Sequence, residues 1–138
     1  MEKIILGALT LCGVALGAYL QHIFAKSKEK SERIDSYRHK AYADYLQGIA
    51  ELARDRTKDR KESISLVADA KCRIVIYGDD EVLKRLAQFE RAGTNLAYQP
   101  AIEAFLFLVK AMRNDSSSEN EIINKDDIKI ILFGKDEN

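Results

Sequence analysis

A chain of 138 residues with one proline, seven glycines, no tryptophan and 46% hydrophobic residues has the composition of a helix-rich protein and not of a sheet protein or a disordered tail. Its 22 basic and 22 acidic residues leave a formal net charge of zero, which argues against a broad field that gathers nucleic acid or acidic substrates. Two cysteines, Cys12 and Cys72, exclude a disulfide framework.

Residues 4–24 carry no charged side chain. As a helix rising about 1.5 Å per residue, this run covers about 31 Å, the thickness of a bilayer's hydrocarbon core. It is longer than the apolar region of a cleaved signal peptide, about 7–15 residues, and Ala25 follows Ile23 and Phe24 where a cleavage site needs small residues. Leu9, Thr10, Leu11 and Cys12 likewise place leucine where a lipoprotein signal has a small residue. The expectation is an uncleaved transmembrane helix over residues 1–25.

Lys3 on one side faces Lys26, Lys28, Lys30, Arg33 and Arg38 on the other, so the positive-inside rule places the following domain in the cytoplasm. This predicts a bacterial inner-membrane protein with its amino terminus outside. Lys26, Lys28 and Lys30 suit anionic lipid headgroups, each contributing at most about 1 kcal/mol, although Glu29 and Glu32 reduce that effect.

On a helical wheel Gly7, Thr10, Gly13, Gly17 and Gln21 share one side, with Leu9, Leu16 and Leu20 opposite. Gly13 and Gly17 have the spacing that lets two membrane helices approach closely, and Gln21 can hydrogen-bond across such a contact. These five residues predict a homo-oligomer formed through the membrane helix.

Residues 18–47 contain neither glycine nor proline, so the helix is expected to continue through a basic juxtamembrane stalk, residues 26–33, into a bundle domain, residues 34–134. Ile34, Tyr37, Ala41, Tyr42, Tyr45, Ile49, Leu52 and Ala53 recur at three-to-four spacing and predict a buried stripe. Charges over 54–62 read as a polar connection. Ile64, Val67, Ala70, Cys72, Ile74, Val75, Ile76 and Tyr77 make the next apolar element, a helix whose β-branched end also permits a strand.

Gly78 ends that element, and Asp79 or Asp80 can cap a helix running past Phe89 to Gly93. Gln99 and Pro100 open a further helix with the stripe Ile102, Phe105, Leu106, Val109 and Met112. Residues 115–120 read as an exposed serine-rich loop. Residues 124–133 predict a short closing helix before Gly134, followed by a tail, 135–138. The fold class is all-α: one transmembrane helix continuing into about four cytoplasmic helices and a short C-terminal one.

Ala70, Lys71, Arg73, Ile74, Tyr77, Gly78, Asp80, Glu81 and Val82, then Met112, Arg113, Asp115, Asp127, Ile128, Ile131, Leu132, Phe133 and Gly134, resemble uncharacterised small bacterial and phage-associated proteins. The resemblance implies a short anchor ahead of the same helical region and brings no assigned activity.

His22 and His39 are the only histidines, and no cysteine pair stands at metal spacing, so no metal or other cofactor is expected. Phosphate-loop, dinucleotide-fingerprint and serine-hydrolase motifs are missing too. Arg33 and His39 match the Arg-x(4 to 6)-His spacing of HEPN ribonucleases, in which arginine would hold phosphate and histidine would move protons. That family usually has a polar residue after the arginine, whereas Ile34 stands here. The sequence therefore leans away from an enzyme, with a membrane-tethered ribonuclease as the alternative. Nucleic acid is not an expected partner. Phe107 lies off the Ile102, Phe105, Val109 stripe and marks a possible contact with a cytoplasmic protein. The leading expectation is a scaffold, sensor or effector that works by protein–protein contact or self-association.

Overall fold

The computed structural model describes residues 2–54, 60–117 and 123–134, with side chains from Val14 onward. Five helices occur among them: α1 (Glu2–Arg54), α2 (Arg60–Tyr77), α3 (Asp80–Arg91), α4 (Gln99–Ser116) and α5 (Lys125–Phe133). No strand occurs among the described residues, so the all-α expectation holds and the strand reading of the second element falls away. The chain divides into two compact units, Met1–Ser36 and Tyr37–Asn138. The first is the leading part of α1; the second is the bundle.

Helix boundaries in the bundle follow local chemistry. At the α2–α3 corner Gly78 N–H donates to Ile74 O at 2.7 Å, and a Cβ on Gly78 would meet that oxygen at 2.5 Å, so only glycine fits. Asp79 is the N-cap of α3, its carboxylate accepting from Glu81 N at 2.9 Å. After α3 the chain turns through Gly93 and Thr94, both at positive φ. Pro100 sits in the first turn of α4, where its missing N–H costs nothing. Asn124 caps α5 and Gly134 closes it at φ 79°.

One core holds the bundle together. Ala41, Tyr42, Tyr45 and Ile49 of α1 meet Val67, Ala70 and Ile74 of α2, Val82, Leu86 and Phe89 of α3, and Phe105, Leu108 and Met112 of α4. The Phe89 and Phe105 rings lie 5.2 Å apart, tilted by 47°. Helices α1 and α2 approach closely at Gly48, where an added Cβ would lie 2.5 Å from Val67 Cγ2.

Several expected core positions are displaced. Ile34 and Tyr37 are 37% and 49% exposed, because the buried stripe of α1 begins only at Ala41; Tyr37 instead stacks on Tyr77, 5.7 Å away. On α2 the buried face is Ser63, Val67, Ala70 and Ile74, which leaves Cys72, Val75 and Ile76 outside. On α4, Ile102 and Val109 are half-buried, and Ala101, Leu108 and Ala111 fill the core in their place. Arg60, Lys61 and Glu62 belong to α2 and not to a connection, while residues 55–59 lie outside the described part. Asp115 and Ser116 belong to α4 and not to a loop; residues 118–120 and the tail lie outside the described part.

Candidate functional site

The first unit has little besides its own helix surface to offer. Val14, Leu16, Tyr19, Leu20, Ile23 and Phe24 are all 45–73% exposed, and together they cover more than half of the circumference of α1. Of the expected helix–helix contact, Gly17 has nothing within 4 Å of an added Cβ and Gln21 is exposed. Gly7, Thr10 and Gly13 lie among residues whose side chains are not described. Among the described residues no helix is long and apolar enough to cross a membrane. The expected span depends on residues 4–13, which contribute no described side chains.

Lys26, Lys28 and Lys30 are exposed, with Lys28 3.8 Å from Glu32. Arg33 donates to Glu29 at 2.8 Å, also in the open. These i,i+4 pairs are the surface contacts that helix spacing alone foresees, each worth a few tenths of a kcal/mol.

In the bundle, α1, α4 and α5 enclose a shallow groove of about 370 Å³. Leu46, Val109, Met112, Ile128, Ile131 and Leu132 line it together with the polar side chains of His39 and Arg113. This is where His39 goes; it shares the groove with Arg113 and apolar side chains, while Arg33 lies in the other unit on Glu29. Among the described residues no group of three or more His, Cys, Asp or Glu is placed to hold a metal ion.

Beside the groove lies a polar cluster that ties three helices together. Tyr42 Oη donates to Asp115 Oδ2 at 2.8 Å and accepts from Asp79 N at 3.1 Å, and Arg38 Nε lies 3.2 Å from the same Asp115 oxygen. Burial is the main reason the Tyr42 phenol is pushed far above its ordinary range. Tyr45 repeats the pattern deeper in: buried, it donates to Glu90 at 3.3 Å, and Lys71 lies 2.7 Å from the same Glu90 oxygen. Burial, followed by the negative charge of Glu90, pushes its phenol up as well. Neither phenol can act as a base near neutral pH, and both work as hydrogen-bond donors.

Sequence spacing cannot find these partners, because Tyr42 and Asp115 stand 73 positions apart and Tyr45 and Glu90 45. The one available signal was that both tyrosines fall inside the apolar stripe of α1, where a buried hydroxyl needs a partner.

Asp115→Ala is expected to destabilise the bundle by about 2–3 kcal/mol, since it removes the acceptor of a buried phenol and the anionic partner of a mostly buried guanidinium. The side chains of Arg38 and Asp115 are 21% and 13% exposed, so solvent screening keeps the loss below that of a fully buried pair. Urea unfolding followed by tyrosine fluorescence measures it; a loss under about 0.5 kcal/mol would show the cluster to be no more than a surface contact.

On another side of the bundle, Arg73 reaches Asp44 and Asp69, both at 2.7 Å. The Arg73 hydrogen bond holds the Asp44 carboxyl below its ordinary value of 3.8. A carboxyl depressed on folding adds stability above its unfolded pKa and loses it as pH falls through the lower folded value. Stability of the native chain is therefore expected to fall more steeply below pH 4 than that of Asp44→Asn. Parallel urea midpoints between pH 2 and 7 check this, and identical acid profiles would sink it.

Phe107 is 38% exposed, and two cations lie over its ring, the Arg85 guanidinium at 5.1 Å and Lys125 Nζ at 5.0 Å. Lys125 is also bonded to Glu103 at 2.6 Å and Arg85 to Glu81 at 2.7 Å. The exposed ring foreseen as a contact thus already has cation–π neighbours within its own chain.

No family model matches this chain, and no curated protein or solved structure matches it.

Proposed function

We propose that the chain is a single-pass membrane-anchored helical scaffold or effector that works by association, with its bundle on the cytoplasmic face of a bacterial inner membrane. The observation that carries the reading is the bare apolar surface of α1 from Val14 to Phe24. A helix with so broad an exposed apolar surface has to be covered, by lipid or by other helices. Lipid is favoured by the uncharged length of residues 4–24 and by the change to Lys26, Lys28 and Lys30 directly after it. Gly13 and Gly17 supply a face on which two such helices can meet.

A binding role suits the bundle better than a chemical one. The groove is apolar, and the Asp115 carboxylate next to it is engaged by Tyr42 and Arg38. With His39 and Arg113 among its lining side chains, the groove fits an amphipathic helix of a cytoplasmic protein.

Full-length protein in membranes is expected to stay in the pellet through alkaline carbonate extraction and to crosslink to itself. Substituting Gly13→Leu together with Gly17→Leu is expected to lower the crosslinked fraction without releasing the protein. Extraction of the native chain into the supernatant would remove the anchor, and unchanged crosslinking in the double variant would remove the glycine face.

A further inference from the structure

Helix α2 has two apolar faces, and the bundle uses only one of them. Ser63, Val67, Ala70 and Ile74 are buried, while Ile64, Ala68, Cys72, Val75 and Ile76 are all exposed. At about 100° per residue these five fall within about 120° of one another, and Lys61 is the one charged side chain that shares their arc.

Four of the five exposed residues are placed symmetrically about position 70. Ile64 and Ile76 stand six residues either side of it and Ala68 and Cys72 two residues either side, while Val75 has Ser65 as its counterpart. We propose that α2 pairs with α2 of a second copy, antiparallel across a two-fold axis at position 70. Ile64 then meets Ile76, and Ala68 meets Cys72, of the other copy. Crossing helices are closest at the axis, where Ala68 of one copy faces Cys72 of the other and both are small. They diverge outward, where Ile64 and Ile76 fill the widening gap. Charge selects the same arrangement: parallel pairing would set Lys61 against Lys61 inside the stripe, whereas antiparallel pairing keeps the two lysines at opposite ends. This contact lies in the bundle and does not rest on the glycine face of the anchor.

The register is testable by thiol placement in the full chain, purified in detergent, with Cys12→Ser in every version. One version, carrying one tag, adds Cys72→Ser and Ala68→Cys; the other, with a different tag, keeps Cys72. Antiparallel pairing sets the two thiols within disulfide reach. Mild oxidation is expected to link the differently tagged chains at least five-fold more than chains of the same tag. Same-tag links equal to or exceeding these would overturn the proposal, and so would the absence of any link.

A second measurement separates this contact from that of the anchor. Ala68→Glu, at an exposed site, is expected to weaken self-association at least ten-fold in sedimentation of the chain carrying Gly13→Leu and Gly17→Leu, with helical content unchanged. Unaltered association there would overturn the α2 pairing and leave the membrane reading standing.

Discussion

Val14→Arg combined with Leu16→Arg is expected to shift the protein from the alkali-resistant membrane pellet to the soluble or aggregated fraction. Both positions lie near the middle of the uncharged run, and at 100° per residue they point to opposite sides of α1. No single rotation or tilt can spare both. An arginine at the centre of a membrane helix costs about 2.5–3.5 kcal/mol on insertion scales, so the pair costs about 6 kcal/mol, more than four powers of ten in the insertion equilibrium. Gln21→Arg is the control: near the basic end its side chain can snorkel to the headgroups, and the protein is expected to stay in the membrane. Retention of the double variant in the pellet would defeat the anchor reading. If the apolar surface were instead covered by protein, both arginines would change oligomeric state first and membrane retention little.

This experiment matters because the proposed anchor and the bundle stand on different grounds. The anchor is proposed from sequence: an uncharged length and basic residues at one end. The bundle is a property of structure, and there the sequence was uneven as a guide. Helix ends were legible because they depend on one or two residues acting locally. Gly78 admits no Cβ, Asp79 and Asn124 carry the short acceptor side chains that caps require, and Pro100 is pre-set for a first turn.

Faces were less legible. Helix α2 is apolar over more than half its circumference, so hydrophobic periodicity could not say which half is core; only packing against Gly48 and its neighbours decides, leaving Cys72, Val75 and Ile76 outside. Tyr37 fits the α1 stripe by spacing, yet it stands one turn before the other helices close around α1.

Asp115 was hidden for a different reason. Its neighbours Ser116 and Ser117 have loop composition, and local composition outweighs a partner 73 residues away in any reading of the chain by itself. The candidate site suffered most, because a groove is made by the mutual placement of α1, α4 and α5. His39 was noticed for its spacing from Arg33; its position beside Met112 and Arg113 has no signature in sequence.

Phe89→Ala is expected to cause the largest loss of stability within the bundle. The ring is fully buried, and it packs against Phe105 at the seam between α3 and α4. Truncation of a buried phenylalanine costs about 3–5 kcal/mol through lost burial and the cavity left behind. The tilted ring pair adds a term of about 0.5–1.5 kcal/mol that a merely apolar contact lacks. Against a total stability of about 5–15 kcal/mol for a domain, this brings the bundle close to unfolding at ordinary temperature. Phe133→Ala gives the contrast, since that ring touches the other edge of Phe105 at 6.3 Å but is 41% exposed. Its loss is expected to cost about 1 kcal/mol, because water already reaches much of the surface that the ring covers. Urea midpoints for the two variants therefore differ by at least a factor of two in their displacement from the native chain. Equal displacements would mean that α5 is as much a wall of the core as α3, and the apolar groove beside α5 would then be part of the folding core and not a surface for a partner.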